Sequence, residues 1–496
     1  MQNNFCNLSK AIAIMSRWCY SSTRREYTLN DNYEANAKNY LEGEVFVITT
    51  QNRLFSNRQL FRLIIPLIIE QGLNILVGLA DGVMVSSAGE AAISGVSLVD
   101  MINAVVLTLF MGLATGGAVV TSQYLGAKRY PDAQKSVGQL ILMAAVIGTV
   151  FGALCLVLAR PILKLFFGSI EADVMAAGLT YFRITALAFP FIALYCTSAA
   201  VFRSMGNSKL TMKISLLMNF VNVSGNAICV LGFKMGVAGV AIPTVLSRVV
   251  AASLTLFFLS RKKQELYLQG KYIFHIQPDM MGKILRIGIP SACENSFFQL
   301  GRAVVVSMIA LFGTVQTSAN AVAGTIDNVG CIAGQAFNLA MVTVIGQCVG
   351  NADAEQVKYY IKKMMRLAYA FWAINSLPTL IFCRPLIGLY SSLSKETADL
   401  AFRLIWIHNG LGILLWPMSF VLPNALRAAN DVQFTMRVGI ASMVVARIGL
   451  SWVLCVGLQW GATGVWIAMV ADWIVRIAFF LPRVRSGKWK KMCALQ

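Results

Sequence analysis

Glu70 and Asp81 are the only charged side chains in the stretch IIEQGLNILVGLADGVMV, residues 68–85. A charged carboxyl near a bilayer centre costs about 2.5 to 3.5 kcal/mol on insertion scales, so an acid in a segment this apolar is a functional candidate by default. The two acids stand 11 residues apart, which is about three helical turns and roughly 16 Å along one helical face. They cannot hold one ion between them. Asp81 therefore needs ligands from other segments.

The surrounding chain says what kind of segment this is. Of 496 residues, 57% are hydrophobic and 13% charged, and the mean hydropathy is +0.66. Apolar runs near the roughly 20 residues of a spanning helix recur along the length. They are apolar all round rather than alternating, which excludes a β-barrel and a soluble multidomain protein. The expected fold is an all-α polytopic membrane protein with 12 transmembrane helices between residues 61 and 482. The net charge of +20 would suit a nucleic-acid binder. With the N-terminus inside, however, the cytoplasmic connections and C-terminal tail hold 23 basic residues and the outer connections five, which is the positive-inside bias. The reading is therefore a multi-pass protein of the plasma (inner) membrane, with both termini cytoplasmic, the lipid bilayer as partner and no nucleic acid. The 11 cysteines are scattered without a C-x-x-C, and two histidines, His275 and His408, are too few for a metal site. No nucleophile–base pair or phosphate loop points to an enzyme or a receptor, and no cofactor is expected.

The longest polar connection, residues 261–283, lies at the middle of the chain and prompts a search for a repeat. Sliding the sequence by 224 residues places Pro66 on Pro290, Glu70 on Glu294, Gly89 on Gly313, Gln123 on Gln347, Gly126 on Gly350, Arg203 on Arg427 and Met212 on Met436 without a gap. One added residue then aligns GVAGVAI, residues 236–242, with GATGVWI, residues 461–467. Six spans per half make the repeats parallel, related by an axis along the membrane normal. The expected domains are a polar cytoplasmic extension (1–58), an N-lobe of six helices (59–260), a cytoplasmic linker (261–283), a C-lobe of six helices (284–484) and a basic tail (485–496).

The residues resemble the multidrug and toxic compound extrusion (MATE) antiporters. The likeness rests on P-x3-E followed by LADGVMV, on SQYLGAK and GQCVGNAD, on FRSMGN and LRAAND, and on GVAGVAIPT, spread over about residues 60 to 480. It implies two six-helix bundles that rock between inward- and outward-facing states and export small organic compounds, expected to be cationic and amphipathic, in exchange for H⁺ or Na⁺, by a monomer. A related flippase for lipid-linked oligosaccharide is the alternative; it would need several unpaired cations facing the cavity, for which Arg302 and Arg447 are the mid-span suggestions.

The family's N-lobe ion site joins an aspartate of the first span to an Asn and an Asp four apart on the fifth and a Thr on the sixth. The matching positions are Asp81, Asn222, Asn226 and Thr244, so the second acid is an amide here. Oxygen groups around one carboxylate suit a desolvated Na⁺ or a proton exchanged at Asp81. The repeat puts Val305 opposite Asp81, Ala446 opposite Asn222 and Leu450 opposite Asn226, so the cluster occurs once whereas the scaffold is doubled. Glu70 and Glu294 are doubled, and are candidates both for transport and for a packing role beside a proline. Asp327, Asp100 and Asp472 are further acids. Arg302 is expected to neutralise Glu294 or Asp327.

Overall fold

A computed structural model describes residues 53–86, 89–168, 171–390 and 393–492; the proposed extension over residues 1–58 falls almost wholly outside them. The N-lobe helices are α1 (Asn57–Ser86), α2 (Glu90–Gly126), α3 (Tyr130–Val157), α4 (Ala172–Ala186 continued by Phe189–Ser204, bent by 48°), α5 (Ser208–Gly232) and α6 (Gly236–Ser260). The C-lobe helices are α7 (Pro278–Ala310), α8 (Thr314–Gly330 and Ile332–Gly350), α9 (Ala354–Ile381), α10 (Lys395–Ala428), α11 (Val432–Gly457) and α12 (Gly461–Arg485). Length and hydropathy alone qualify nine helices and the bent pair α4 as spans. Helices α7 and α9 fall short because of what they carry: Lys283, Arg286, Glu294 and Arg302 in one, Lys362, Lys363, Arg366 and Asn375 in the other. Helix α7 also starts at Pro278, six residues before the expected start of the C-lobe at 284, because proline suits the first turn of a helix, where its missing N–H is not needed.

The duplication is written in the backbone. Ten of the twelve left-handed residues among those described fall in pairs: Gly89 (φ 98°) with Gly313 (84°), Lys128 with Ala352 (both 56°), Gly206 (74°) with Asn430 (66°), Lys234 (53°) with Gln459 (60°), and Gly236 with Gly461 (both 56°). This conformation is costly for a residue with a Cβ, so Lys128 and Ala352 adopt it because the helix–turn–helix around them has been kept while its residue types drifted. The first three pairs are 224 apart and the last two 225. The extra residue is absorbed in Met443–Gly449, where α11 widens into π-type turns while the matching part of α5 stays α-helical. Such a widening takes in one residue without ending the helix. By the second widened stretch, Trp452–Gly457 against Ala227–Gly232, the offset is 225. Ser451, not Leu450, therefore stands opposite Asn226.

The lobes exchange packing about their common axis. Leu60, Leu63, Ile64 and Leu67 of α1 join the C-lobe core, while Met280, Ile284 and Ile287 of α7 join the N-lobe core. Helices α2 and α7 approach closely because Gly112 faces Ala292 and Gly116 faces Gly288. At the end nearest the linker, α2 and α8 cross with Gly126 against the Gln347 carbonyl and Gly350 against the Gln123 carbonyl. The crossing is fastened reciprocally: Gln123 Nε2 donates to Ala428 O (2.8 Å) and Asn430 Oδ1 (3.0 Å), and Gln347 Nε2 donates to Ser204 O (2.7 Å). Residues 204 and 428 are again 224 apart.

The linker is docked on the N-lobe. Buried Gln139 of α3 donates to Tyr272 O (2.6 Å) and His275 O (2.9 Å) and accepts from Gln277 N (3.1 Å), and Gly138 leaves room for the Tyr272 backbone.

Candidate functional site

Three helices bring the four N-lobe candidates together. Proline 243 interrupts the backbone ladder of α6 one residue before Thr244, and Gly225 of α5 faces that proline, so α5 and α6 touch where a side chain would have held them apart. Asn226 Nδ2 donates to Asp81 Oδ1 at 2.7 Å, and Asn222 Nδ2 donates to Thr244 Oγ1 at 3.0 Å. Thr244 Oγ1 in turn donates a hydrogen bond to the Val240 carbonyl of α6 (2.9 Å). The arrangement is thus two hydrogen-bonded pairs one turn apart on α5. Asn222 and Asn226 are buried, Asp81 and Thr244 partly so.

Each amide donates one N–H in these bonds, and the buried Oδ1 atoms of Asn222 and Asn226 have no partner. A buried acceptor left unanswered costs about 1 to 3 kcal/mol. One such oxygen on the residue that touches the carboxylate and a second one turn away on α5 form a donor set that fits a hard cation, or a proton held at Asp81. The spacing in the sequence did not reveal two charged neighbours: Arg248 of α6 and Asp100 of α2 both act on Asp81 through space, and Tyr181 of α4 hydrogen-bonds Asp100. Arg248 Nη1 donates to the Met218 sulfur (3.2 Å), a weak acceptor, and makes no ion pair among the described residues.

The doubled glutamates sit in matching ion pairs within their own lobes. Glu70, 4% exposed, faces Arg203 Nη1 of α4 at 3.6 Å and accepts from Thr211 Oγ1 of α5 at 3.0 Å. Glu294, 5% exposed, meets Arg427 Nη2 of α10 at 2.7 Å and fills the space left by Gly439 of α11. The expected pairing of Arg302 with Glu294 or Asp327 does not form. Arg427 takes the first acid and His408 the second, and Arg302 is exposed, with no ion pair among the described residues.

Asp327 gathers a cluster that its sequence position did not disclose. Helix α10 widens over Trp406–Gly410 and turns buried His408 and Asn409 toward α8. His408 Nδ1 lies against Asp327 Oδ1, Asn409 Nδ2 donates to the same oxygen (3.2 Å), and Cys331 Sγ lies 3.8 Å from Oδ2. His408 stands edge-on to Trp473 and Trp466. The ligand atoms of Asp327, Cys331 and His408 lie within 4.8 Å of one another, a meeting that a count of two histidines does not predict. Asp472 of α12 lies between Arg476 Nε (3.1 Å) and Arg447 Nη1 (3.7 Å).

A family model described as MatE matches residues 66–228 and again 290–453. The chain belongs to the MatE family. The two matches begin 224 residues apart and end 225 apart, the same offsets as in the backbone of this MatE protein. It is similar to the uncharacterized transporter YisQ of Bacillus subtilis (strain 168), 29% identical over 87% of this chain and 94% of that protein. It is also similar to the probable multidrug resistance protein NorM of Thermotoga maritima, 24% identical over 88% and 94% of the two chains. The solved outward-facing conformation of a multidrug resistance MATE family transporter matches with a TM-score of 0.81 at 20% identity, over 87% of this chain and 96% of that one. The fold is thus the two-lobed arrangement of 12 membrane helices, and the family is one of transporters.

Proposed function

We propose that this MatE protein is a secondary active antiporter that exports small organic compounds across the plasma membrane in exchange for H⁺ or Na⁺ bound at Asp81. The observation that carries the reading is the Asp81–Asn226 contact with two unanswered amide oxygens beside it. Asn222, Asn226 and Thr244 order the carboxylate and offer it oxygen ligands, while Arg248 and Asp100 set the field in which the ion is taken up and released. Alternating access is a rocking of one lobe on the other, with the reciprocal Gln123 and Gln347 contacts closing the end nearest the linker, which the basic residues place in the cytoplasm. The flippase alternative asks for cations enough to hold a diphosphate. Arg447 and Arg476 share Asp472, so Arg302 and Arg447 together leave less free positive charge than a diphosphate asks for.

The test is efflux from proteoliposomes under separately imposed pH and Na⁺ gradients. Asp81→Asn is expected to abolish gradient-driven efflux and leave substrate binding intact, since the amide keeps the shape and the contact with α5. Uphill efflux at wild-type rate by this variant would end the coupling assignment.

A further inference from the structure

The C-lobe carries at membrane depth a set of charges that the N-lobe does without. Arg302 (α7), Asp327 (α8), Asp472 and Arg476 (α12) stand, by the repeat offset, opposite Gly78, Asn103, Ser247 and Ala251. Packing of this bundle therefore does not require them. Arg447, inside the widened stretch of α11, adds a third cation. Three guanidinium groups thus face two carboxylates, and one positive charge is left over before His408 is counted.

The arginines are arranged around aromatic faces. Arg447 and Arg476 lie over Phe298 at 5.3 and 5.5 Å, and Arg476 also lies 5.2 Å from the Phe420 ring. Trp416 extends this surface, stacked on Trp372 at 4.3 Å and 4.9 Å from Phe420. Arg447 is only 7% exposed, and its Nε has no hydrogen-bond partner. Arg302 is exposed and follows Gly301, which faces Met443 at the start of the widened stretch that holds Arg447. A surplus cation and an unanswered buried guanidinium N–H in a low-dielectric bundle are complementary to an anion, and planar guanidinium groups with aromatic faces suit an oxyanion on an aromatic body.

We propose that this C-lobe cluster binds the transported compound itself, an organic monoanion in which an oxyanion group such as a carboxylate meets Arg302 and Arg447 and an apolar, aromatic body lies against Phe298 and Phe420. The inference deepens the antiporter reading and rests on it for the direction of transport. It adds an electrical consequence: a monoanion leaving against one entering cation moves two charges in the same sense, so an inside-negative potential accelerates export, whereas one-for-one exchange of a monocation is electroneutral.

The test uses the full chain in lipid nanodiscs, with radiolabelled p-aminohippurate, an aromatic monocarboxylate, against tetraphenylphosphonium, an aromatic monocation. Saturable p-aminohippurate binding is expected, weakened at least tenfold by Arg302→Gln and largely kept by Arg302→Lys. Arg302 is exposed, so loss of the fold does not confound the result. Absence of p-aminohippurate binding, or an unchanged affinity in Arg302→Gln, overturns the inference whatever the cation does. Gradient-driven tetraphenylphosphonium efflux that depends on Asp81, found together with no p-aminohippurate binding, leaves the coupling reading standing and removes only the anion site. Efflux indifferent to Asp81 removes the coupling reading and leaves the binding result to be judged separately.

Discussion

A methyl group at the crossing of α2 and α8 tests whether the lobes must close there. In Gly126→Ala the new Cβ would lie 2.0 Å from the Gln347 carbonyl oxygen, and in Gly350→Ala 1.9 Å from that of Gln123, where ordinary contact begins near 3.4 Å. Both neighbours are backbone atoms, so no rotamer change relieves the overlap and the helices have to part by about 1.4 Å. Overpacking of this kind costs about 1 to 3 kcal/mol. A penalty that falls only on the state containing the crossing moves the equilibrium toward any state lacking it by roughly 5- to 150-fold. The two substitutions strain one contact, so the double variant is expected to cost less than the sum. Hydrogen exchange read by mass spectrometry should show faster exchange over residues 123–130 and 347–354, and initial efflux rates from proteoliposomes should fall by a similar factor. Gly324→Ala, whose Cβ meets nothing within 4 Å, serves as the control. Wild-type efflux and unchanged exchange in a folded Gly126→Ala protein would refute the view that this crossing closes during transport.

Three further outcomes follow from the same geometry. Glu294→Gln should destabilise the protein by about 3 to 5 kcal/mol, the cost of removing one partner of a buried pair, and Glu70→Gln by less, because Arg203 stands at 3.6 Å where Arg427 stands at 2.7 Å; thermal unfolding in detergent gives the order, and a reversed order contradicts it. Asn226→Asp puts a second carboxyl within hydrogen-bond distance of Asp81, so the two must share a proton over part of the pH range and the efflux profile between pH 6 and 8 should gain an inflection; an unaltered profile would show that Asp81 does not titrate in the cycle. A cysteine at exposed Lys262 should be labelled from the cytoplasmic side and one at Gly313 from outside, and labelling of position 262 only from outside would reverse the topology.

The repeat made the scaffold legible in the sequence. Sliding by 224 residues paired Glu70 with Glu294 and Arg203 with Arg427, and the structure closes each acid onto the arginine of its own half. The same sliding paired Gln123 with Gln347, whose bonds cross between lobes. What depends on helix rotation was not legible. Arg302 sits about two turns beyond Glu294 on α7, yet the partner of Glu294 comes from α10, because side chains eight residues apart on a helix cannot reach each other directly. The family resemblance gave Asp81 its neighbours on α5 and α6 but not Arg248, Asp100 or Tyr181, which arrive through the packing of α6, α2 and α4. The widened turns at Met443–Gly449 leave no mark in composition, so the added residue seemed to belong later and Leu450 took the place of Ser451. That serine is buried with an unpartnered hydroxyl, so the C-lobe position opposite Asn226 is polar after all.

The docked linker changes how the two halves can be thought of mechanically. A free chain of 23 residues, at about 3.3 Å each, would be a leash of roughly 75 Å and would impose no path on the lobes. Here Leu268 is bonded to Leu259, Gln139 grips the strand of chain as far as Gln277, and α7 starts at the very next residue. The leash has no slack. The foot of α7 is riveted to the N-lobe, so under the proposed rocking the covalent joint would act as a knuckle at Gln277–Pro278, and a nick in the exposed 261–263 segment would cut the chain without loosening that joint.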